Sequence, residues 1–201
     1  MEKELIGLGA YFCLSAYGRI VKDSQLAPSL SDEVTLARIA AQAWQGFTYL
    51  EAQAHKRGED IVELMEPANG LVDALEERLR PSDWWDRVAK SYVSIGTLAH
   101  TWCYLAQRAG AVNLDTGEVR GGWGHGEWAQ QLISAGDESD PTLSARLSLW
   151  GRRVLGDVVS TSLAALDAYP ELAACVEDRH AFVDDLTRDH AARMEAAGLA
   201  G

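Results

Sequence analysis

The sequence predicts an all-α fold, a bundle of four long helices with further helices packed on it, and three observations carry that prediction. Apolar residues recur at helical spacing, as at Leu36, Ile39, Ala43 and Phe47, or at Leu143, Leu147, Trp150, Val154 and Val158. No stretch alternates apolar and polar residues as a half-buried strand does, and no hairpin dipeptide joins two such stretches. No internal repeat of roughly 20 to 50 residues marks a solenoid.

A first helix is expected over residues 5–22, ahead of a connection at Leu26-Ala27-Pro28-Ser29, where Pro28 holds its predecessor extended. Ser31 with Asp32 and Glu33 marks the next start, acidic residues lying against the positive end of the helix dipole. That helix runs from Asp32 to Lys56 and stops at Gly58. Between Gly58 and Pro81 the pattern is shorter, with one helix over 71–79 after the Pro67-Ala68-Asn69-Gly70 turn. Ser82 caps a long helix from Asp83 to Arg108. Residues 110–122 read as a loop, and a helix over 125–134 follows a glycine-rich approach. Asp140-Pro141-Thr142 opens another helix, and a last one spans Pro170 to Ala197 before Gly198.

A chain of 201 residues is long enough to bury a core without staples, and one domain over 1–201 is expected. The net charge of −12 repels a phosphate backbone, so no nucleic-acid partner is expected; a small molecule or another protein suits this surface. Cys13, Cys103 and Cys175 are odd in number and far apart, which fits a reducing cytoplasm rather than a disulfide framework. The N-terminus carries Glu2 and Glu4 where a signal peptide would be basic, and no apolar run reaches membrane-spanning length.

Several strings are familiar in this order: Asp23-Ser24-Gln25-Leu26-Ala27-Pro28, Leu36-Ala37-Arg38-Ile39-Ala40, Pro81-Ser82-Asp83-Trp84, Val88-Ala89-Lys90-Ser91-Tyr92-Val93, His125-Gly126-Glu127-Trp128, and Leu147 through Gly156. Together they resemble the actinobacterial ferritin-like proteins related to the tRNA hydroxylase that modifies a thiolated isopentenyl adenosine. The likeness covers roughly residues 5–165. It implies a ferritin-like four-helix bundle with additional C-terminal helices. In related bundles, a Glu from each of two helices and a Glu-x-x-His pair from each of the others hold two irons. Here the resemblance puts Cys13, Ala43, Gly46, Ile95 and Gly122 at five of those positions and keeps only His125. It therefore implies a degenerate di-iron site, with no metal and no other cofactor.

Near the vacated centre the titratable candidates are His125, Glu127 and, across the bundle, His100. Imidazole suits proton transfer near neutral pH, and a carboxylate can orient it. The competing reading makes His125 a hydrogen-bonded core residue and leaves Glu127 in solvent. A mononuclear metal on His100, His125 and a carboxylate is a lesser alternative, because no ligands are closely spaced. Small residues at Ala43 and Gly46 leave space that side chains or a ligand must fill. Cys13, Tyr17, Ala43, Trp44, Gly46, Trp102 and Trp123 are the expected lining of a substrate cavity, unless the aromatics are core packing. Cys13 could be a nucleophile only with a nearby base and some exposure.

The expected function is a metal-independent small-molecule enzyme of specialised metabolism, a biosynthetic role, in which His125, assisted by Glu127 or His100, moves a proton in an isomerisation, cyclisation or elimination. One alternative is a catalytically inactive paralogue that binds or assembles with a partner, as a homodimer or with a related protein. Another is an oxygenase with non-standard metal ligands.

Overall fold

A computed structural model gives the fold, described over residues 1–111, 122–137, 140 and 142–201. Helix α1 is Glu2–Ser24 and α2 is Leu30–His55. Two short helices follow, α3 over Ile61–Met65 and α4 over Leu71–Arg78, and then the long α5 over Trp84–Arg108. Helix α6 is His125–Asp137, α7 Leu143–Ala168, α8 Pro170–Ala173 and α9 Arg179–Ala196. The described residues contain no strand, and the architecture is the expected all-α, ferritin-like bundle.

Local chemistry sets the helix boundaries. Ser29, rather than Ser31, caps α2 by accepting from the Asp32 N–H, so the helix begins at Leu30. Asp83 rather than Ser82 caps α5, because its carboxylate accepts from the Asp86 N–H at 2.8 Å. Asp60 caps α3, a helix too short for periodicity to reveal. The expected last helix is two: α8 stops at Ala173, and Asp178 recaps the chain to start α9. Most of the loop expected over 110–122, and Pro141, lie outside the described residues.

Helix α5 is the axis of the molecule, buried on nearly every side. Helix α1 runs antiparallel to it, with Trp102 Nε1 donating to the Leu5 carbonyl at 2.8 Å at one end and Arg87 reaching Asp23 at the other. Helix α2 folds back along α1, so that Arg57 pairs with Glu2. On the other side of α5, α6 and α9 run antiparallel to it: Gln130 donates to the Tyr92 hydroxyl, which itself donates to the Arg193 carbonyl. Helix α7 runs parallel to α5, tied by Trp150 Nε1 to the Asp86 carbonyl and by Thr101 to Ser162. The bundle position facing α2 is thus taken by the short α6 and the turn before it, while the long α7 packs outside. Among the described residues no helix is long and apolar enough to cross a membrane.

Candidate functional site at the bundle centre

At the centre, an indole stands where the resemblance places metal ligands. Trp123 is 4 % exposed and occupies the turn Gly122–Gly124 in left-handed geometry, with φ of 59°, 57° and 83° along the three residues. Glycine adopts that region freely, whereas a side-chain-bearing residue there costs roughly 1–2 kcal/mol. The cost is met by packing. A Cβ on Gly46 would lie 3.1 Å from Trp123 Nε1 and 3.2 Å from Cys13 Sγ, so the missing side chain at Gly46 is the room the indole uses. Ala43 and Cys13 are both buried, and burial pushes the Cys13 thiol up to about 12, which makes it a neutral core group rather than a nucleophile. Trp123 Nε1 has no hydrogen-bond partner among the described residues.

A small apolar cavity, about 30 Å³, borders Trp123 between α1, α4 and α5. Its walls include Phe12, Ala16, Leu75, Ile95 and Leu98. Of the aromatics expected to line a central cavity, only Trp123 does. Trp102 is spent on the α1–α5 contact, its ring against Gly9. Trp44 turns outward, 43 % exposed, stacking on Phe47 at 5.0 Å and meeting Tyr17 at 5.4 Å. Positions i and i+4 on a helix share a face, so Ala43 and Phe47 turn inward together, and Trp44, the next residue after Ala43, points outward at the edge of that face, where it still reaches Phe47.

A second, larger recess of about 170 Å³ lies between α5, α6 and α9. Tyr92, Ile95, His125, Glu127, Gln130 and Arg193 border it. His125 is 1 % exposed, its Nε2 is without a partner among the described residues, and burial alone lowers its pKa to about 4. The imidazole is therefore neutral at physiological pH. Glu127 also borders the recess but is exposed, and no hydrogen bond joins it to His125 among the described residues. Arg193 is braced by Asp189 at 2.7 Å and donates to Thr97 Oγ1 at 2.9 Å, with its guanidinium over the bare backbone of Gly96.

His100 does not join His125. It lies between two carboxylates of α9, Nε2 at 2.8 Å from Asp185 and Nδ1 at 3.3 Å from Asp189, one turn along α5 from Gly96. Its expected place across the bundle presupposed that α5 turns this face to the centre, whereas α9 covers it.

One cluster had no place among the expected candidates. Lys90, 1 % exposed, donates to the Leu79 carbonyl at 2.6 Å and pairs with Glu76 at 3.1 Å. Desolvation, then the Arg19 charge, lower its pKa to about 7. Arg19 also pairs with Glu76, while Asp23 accepts from Ser91 and from Arg87 at 3.2 Å. A signal was present in the sequence: Lys90-Ser91 interrupts an apolar run from Val88 to Val93.

The donor set does not fit a di-iron centre. Of the six positions only Cys13 and His125 carry a donor atom, Cys13 is a buried neutral thiol, no carboxylate among the described residues is hydrogen-bonded to His125, and Trp123 fills the space between Gly46 and Cys13. No group of three or more His, Cys, Asp or Glu side chains among the described residues is arranged to hold a metal ion. No curated protein matches the chain. A family model described as a ferritin-like domain of actinomycetes matches residues 2–178, ending just before α9. A helical bundle of this topology, matched over most of its length, belongs to the actinomycete ferritin-like domain family.

Proposed function

We propose that this protein is a metal-independent small-molecule enzyme, diverged from the branch of the family related to the tRNA hydroxylase, and that the recess beside His125 is its substrate site. The supporting observation is His125 itself: a buried, neutral imidazole whose Nε2 has no partner among the described residues, bordering a recess that Gln130 and Arg193 also line. Neutral His125 takes a proton from a substrate C–H or O–H bond. The electron pair left behind shifts to form a new double bond or ring bond, or to expel a leaving group. The imidazolium then returns the proton at the new position or to the leaving group. Gln130 and Arg193 bring amide and guanidinium donors to substrate oxygens, and Glu127 stands at the rim.

The test is to incubate purified protein with a small-molecule extract of the producing cells and follow it by mass spectrometry, alongside His125→Gln. The expected result is a compound converted at unchanged mass, or with loss of water or another small leaving group, and conversion reduced at least about a hundredfold in the variant. A product gaining one oxygen atom, with iron bound stoichiometrically, or full conversion by His125→Gln, overturns the proposal.

One observation favours a second reading, a partner-binding role. Leu30 at 73 %, Val34 at 40 % and Trp44 at 43 % exposure share an outer stripe of α2 with Ala37 and Ala41. Their steps of four, three, four and three residues are those of a helix–helix seam. Light scattering on the protein and on Trp44→Glu decides it: a dimer or heteromer lost in the variant supports that role, and a monomer in both rules out self-association through this stripe.

A further inference from the structure

The charged cluster around Lys90 and the apolar cavity beside Trp123 are parts of one site, separate from the recess of His125. Arg19 and Glu76 belong both to the cluster and to the cavity wall. Within the cluster, the ion pairs of Arg19, Arg87 and Lys90 among the described residues are with Asp23 and Glu76, and Lys22 adds a further positive charge from outside. Below about pH 7, where Lys90 carries its proton, three cationic side chains against two carboxylates leave one positive charge without a counter-charge among the described residues, in a chain of net charge −12. Burying that excess is costly, and an anion arriving at the cavity mouth would balance it.

The cavity supplies an independent sign of a ligand. Ser94, one helical turn beyond Lys90, lines it at 9 % exposure, and its Oγ has no hydrogen-bond partner among the described residues. A buried hydroxyl without a partner costs about 1–3 kcal/mol, so an acceptor within reach is favoured. The rest of the wall is mainly apolar, with Phe12, Ala16, Leu75, Leu98 and Trp123 and one further hydroxyl, Ser15, and a volume of 30 Å³ holds on the order of two water-sized groups. That is room for a short aliphatic tail and too little for a ring.

We propose that this cavity binds a short-chain aliphatic carboxylate, its tail between Ala16, Leu75 and Leu98 and its carboxylate accepting hydrogen bonds from Arg19 and Ser94. Glu76, a third exposed, gives way at the mouth. The test titrates the full chain at about pH 6, where Lys90 is protonated and the carboxylates are ionised, with sodium butyrate, sodium acetate and n-butylammonium chloride, followed by calorimetry and by side-chain NMR of the cavity methyl groups. Butyrate is expected to bind roughly tenfold tighter than acetate, the gain for burying two methylenes, and butylammonium not to bind. Ser94→Ala weakens butyrate about fivefold to tenfold. Ala16→Leu, which fills the cavity, brings butyrate down to the affinity of acetate at unchanged helical circular dichroism. If Ala16→Leu does not fold, Ser94→Ala and the butyrate-to-acetate ratio decide. Equal binding of acetate, butyrate and chloride, meaning an adventitious anion only, overturns the proposal. So does saturable binding of butylammonium, unchanged butyrate affinity in Ser94→Ala, or no saturable binding of butyrate at all.

Discussion

Gly46 and Trp123 are a matched pair: the space a side chain at Gly46 would occupy is held by the Trp123 indole, 3.1 Å from where that Cβ would stand. The pair explains how a bundle with small residues at Ala43 and Gly46 avoids a central void. An empty centre of that size would cost several kcal/mol; here a single ring fills it, held by a three-residue left-handed turn.

The pair predicts a size limit at Gly46. Alanine should be close to neutral, because the gain in helix propensity, roughly 1 kcal/mol, offsets a shift of a few tenths of an ångström by an indole that borders a cavity. Valine should destabilise by about 1–3 kcal/mol through overpacking against Trp123 and Cys13. Urea unfolding monitored by circular dichroism measures both, and tryptophan emission should shift to the red only in the valine variant.

Backbone strain at Trp123 gives an ordering that packing alone would not. Trp123→Ala and Trp123→Gly both lose the indole and should both cost about 3–5 kcal/mol. At φ 57° the glycine variant escapes the left-handed penalty, so it should be more stable than the alanine variant by about 1 kcal/mol. In an ordinary helix the order would be reversed. Equal stabilities would show that the turn relaxes once the ring is gone.

How much of this was legible in the chain can be followed at particular residues. The long helices were, because burial at Leu36, Ile39, Ala43 and Phe47 enforces a 3.6-residue period that survives in the sequence. Short α3 was not, since five residues carry little more than one turn and only the Asp60 cap announces it. The centre was half legible. Small residues at Ala43 and Gly46 announced space, but what fills it depends on the φ of Trp123, a conformation favoured for its glycine neighbours and not for Trp. His100 was misplaced because α9 lies beyond the stretch that carries the resemblance, so nothing in that register revealed the two aspartates awaiting it.

Those aspartates yield a prediction about α9. Asp185 and Asp189 stand four residues apart, and His100 lies between them. Nε2 is hydrogen-bonded to Asp185, and Nδ1 lies 3.3 Å from Asp189, so the ring separates the two carboxylates. His100→Ala leaves two like charges facing each other, a loss of about 1 kcal/mol that shrinks as salt is raised. Limited proteolysis should then cut first within or before α9 at low ionic strength. Cleavage indistinguishable from wild type would mean that the buried side chains of α9, Phe182, Leu186, His190 and Met194, fix the helix without His100.

Acid should weaken the fold in a defined window. His125 and His190 are both 1 % exposed, and burial is the first cause that lowers each from 6.5 to about 4. Between those values the unfolded chain takes up protons that the folded chain refuses, so their contribution is fully present above pH 6.5 and is lost as pH falls toward 4. Asp23, raised by burial, acts in the opposite sense, which makes the comparison with variants the informative measurement. His125→Gln and His190→Gln should each flatten the decline in unfolding free energy between pH 6.5 and 4.5. A slope unaltered in both would place the acid sensitivity elsewhere.

Lys90 sets a complementary dependence on the alkaline side. Its ammonium is lowered from 10.5 to about 7 in the fold, so between these values the unfolded chain holds a proton that the folded chain has released. Stability from this group therefore rises with pH from about 7 toward 10.5 and is flat below 7, by at most roughly 1.4 kcal/mol per pH unit. Burial raises the Cys13 thiol and the Tyr169 phenol, which makes them oppose the trend at high pH and leaves the absolute curve uninformative. Lys90→Met keeps the length of the side chain, removes the titration and leaves Glu76 paired with Arg19. The unfolding free energy of wild type minus that of Lys90→Met should thus climb between pH 7 and 9. A flat difference would mean that Glu76 and the Leu79 carbonyl keep the ammonium protonated, and that its charge is permanently buried.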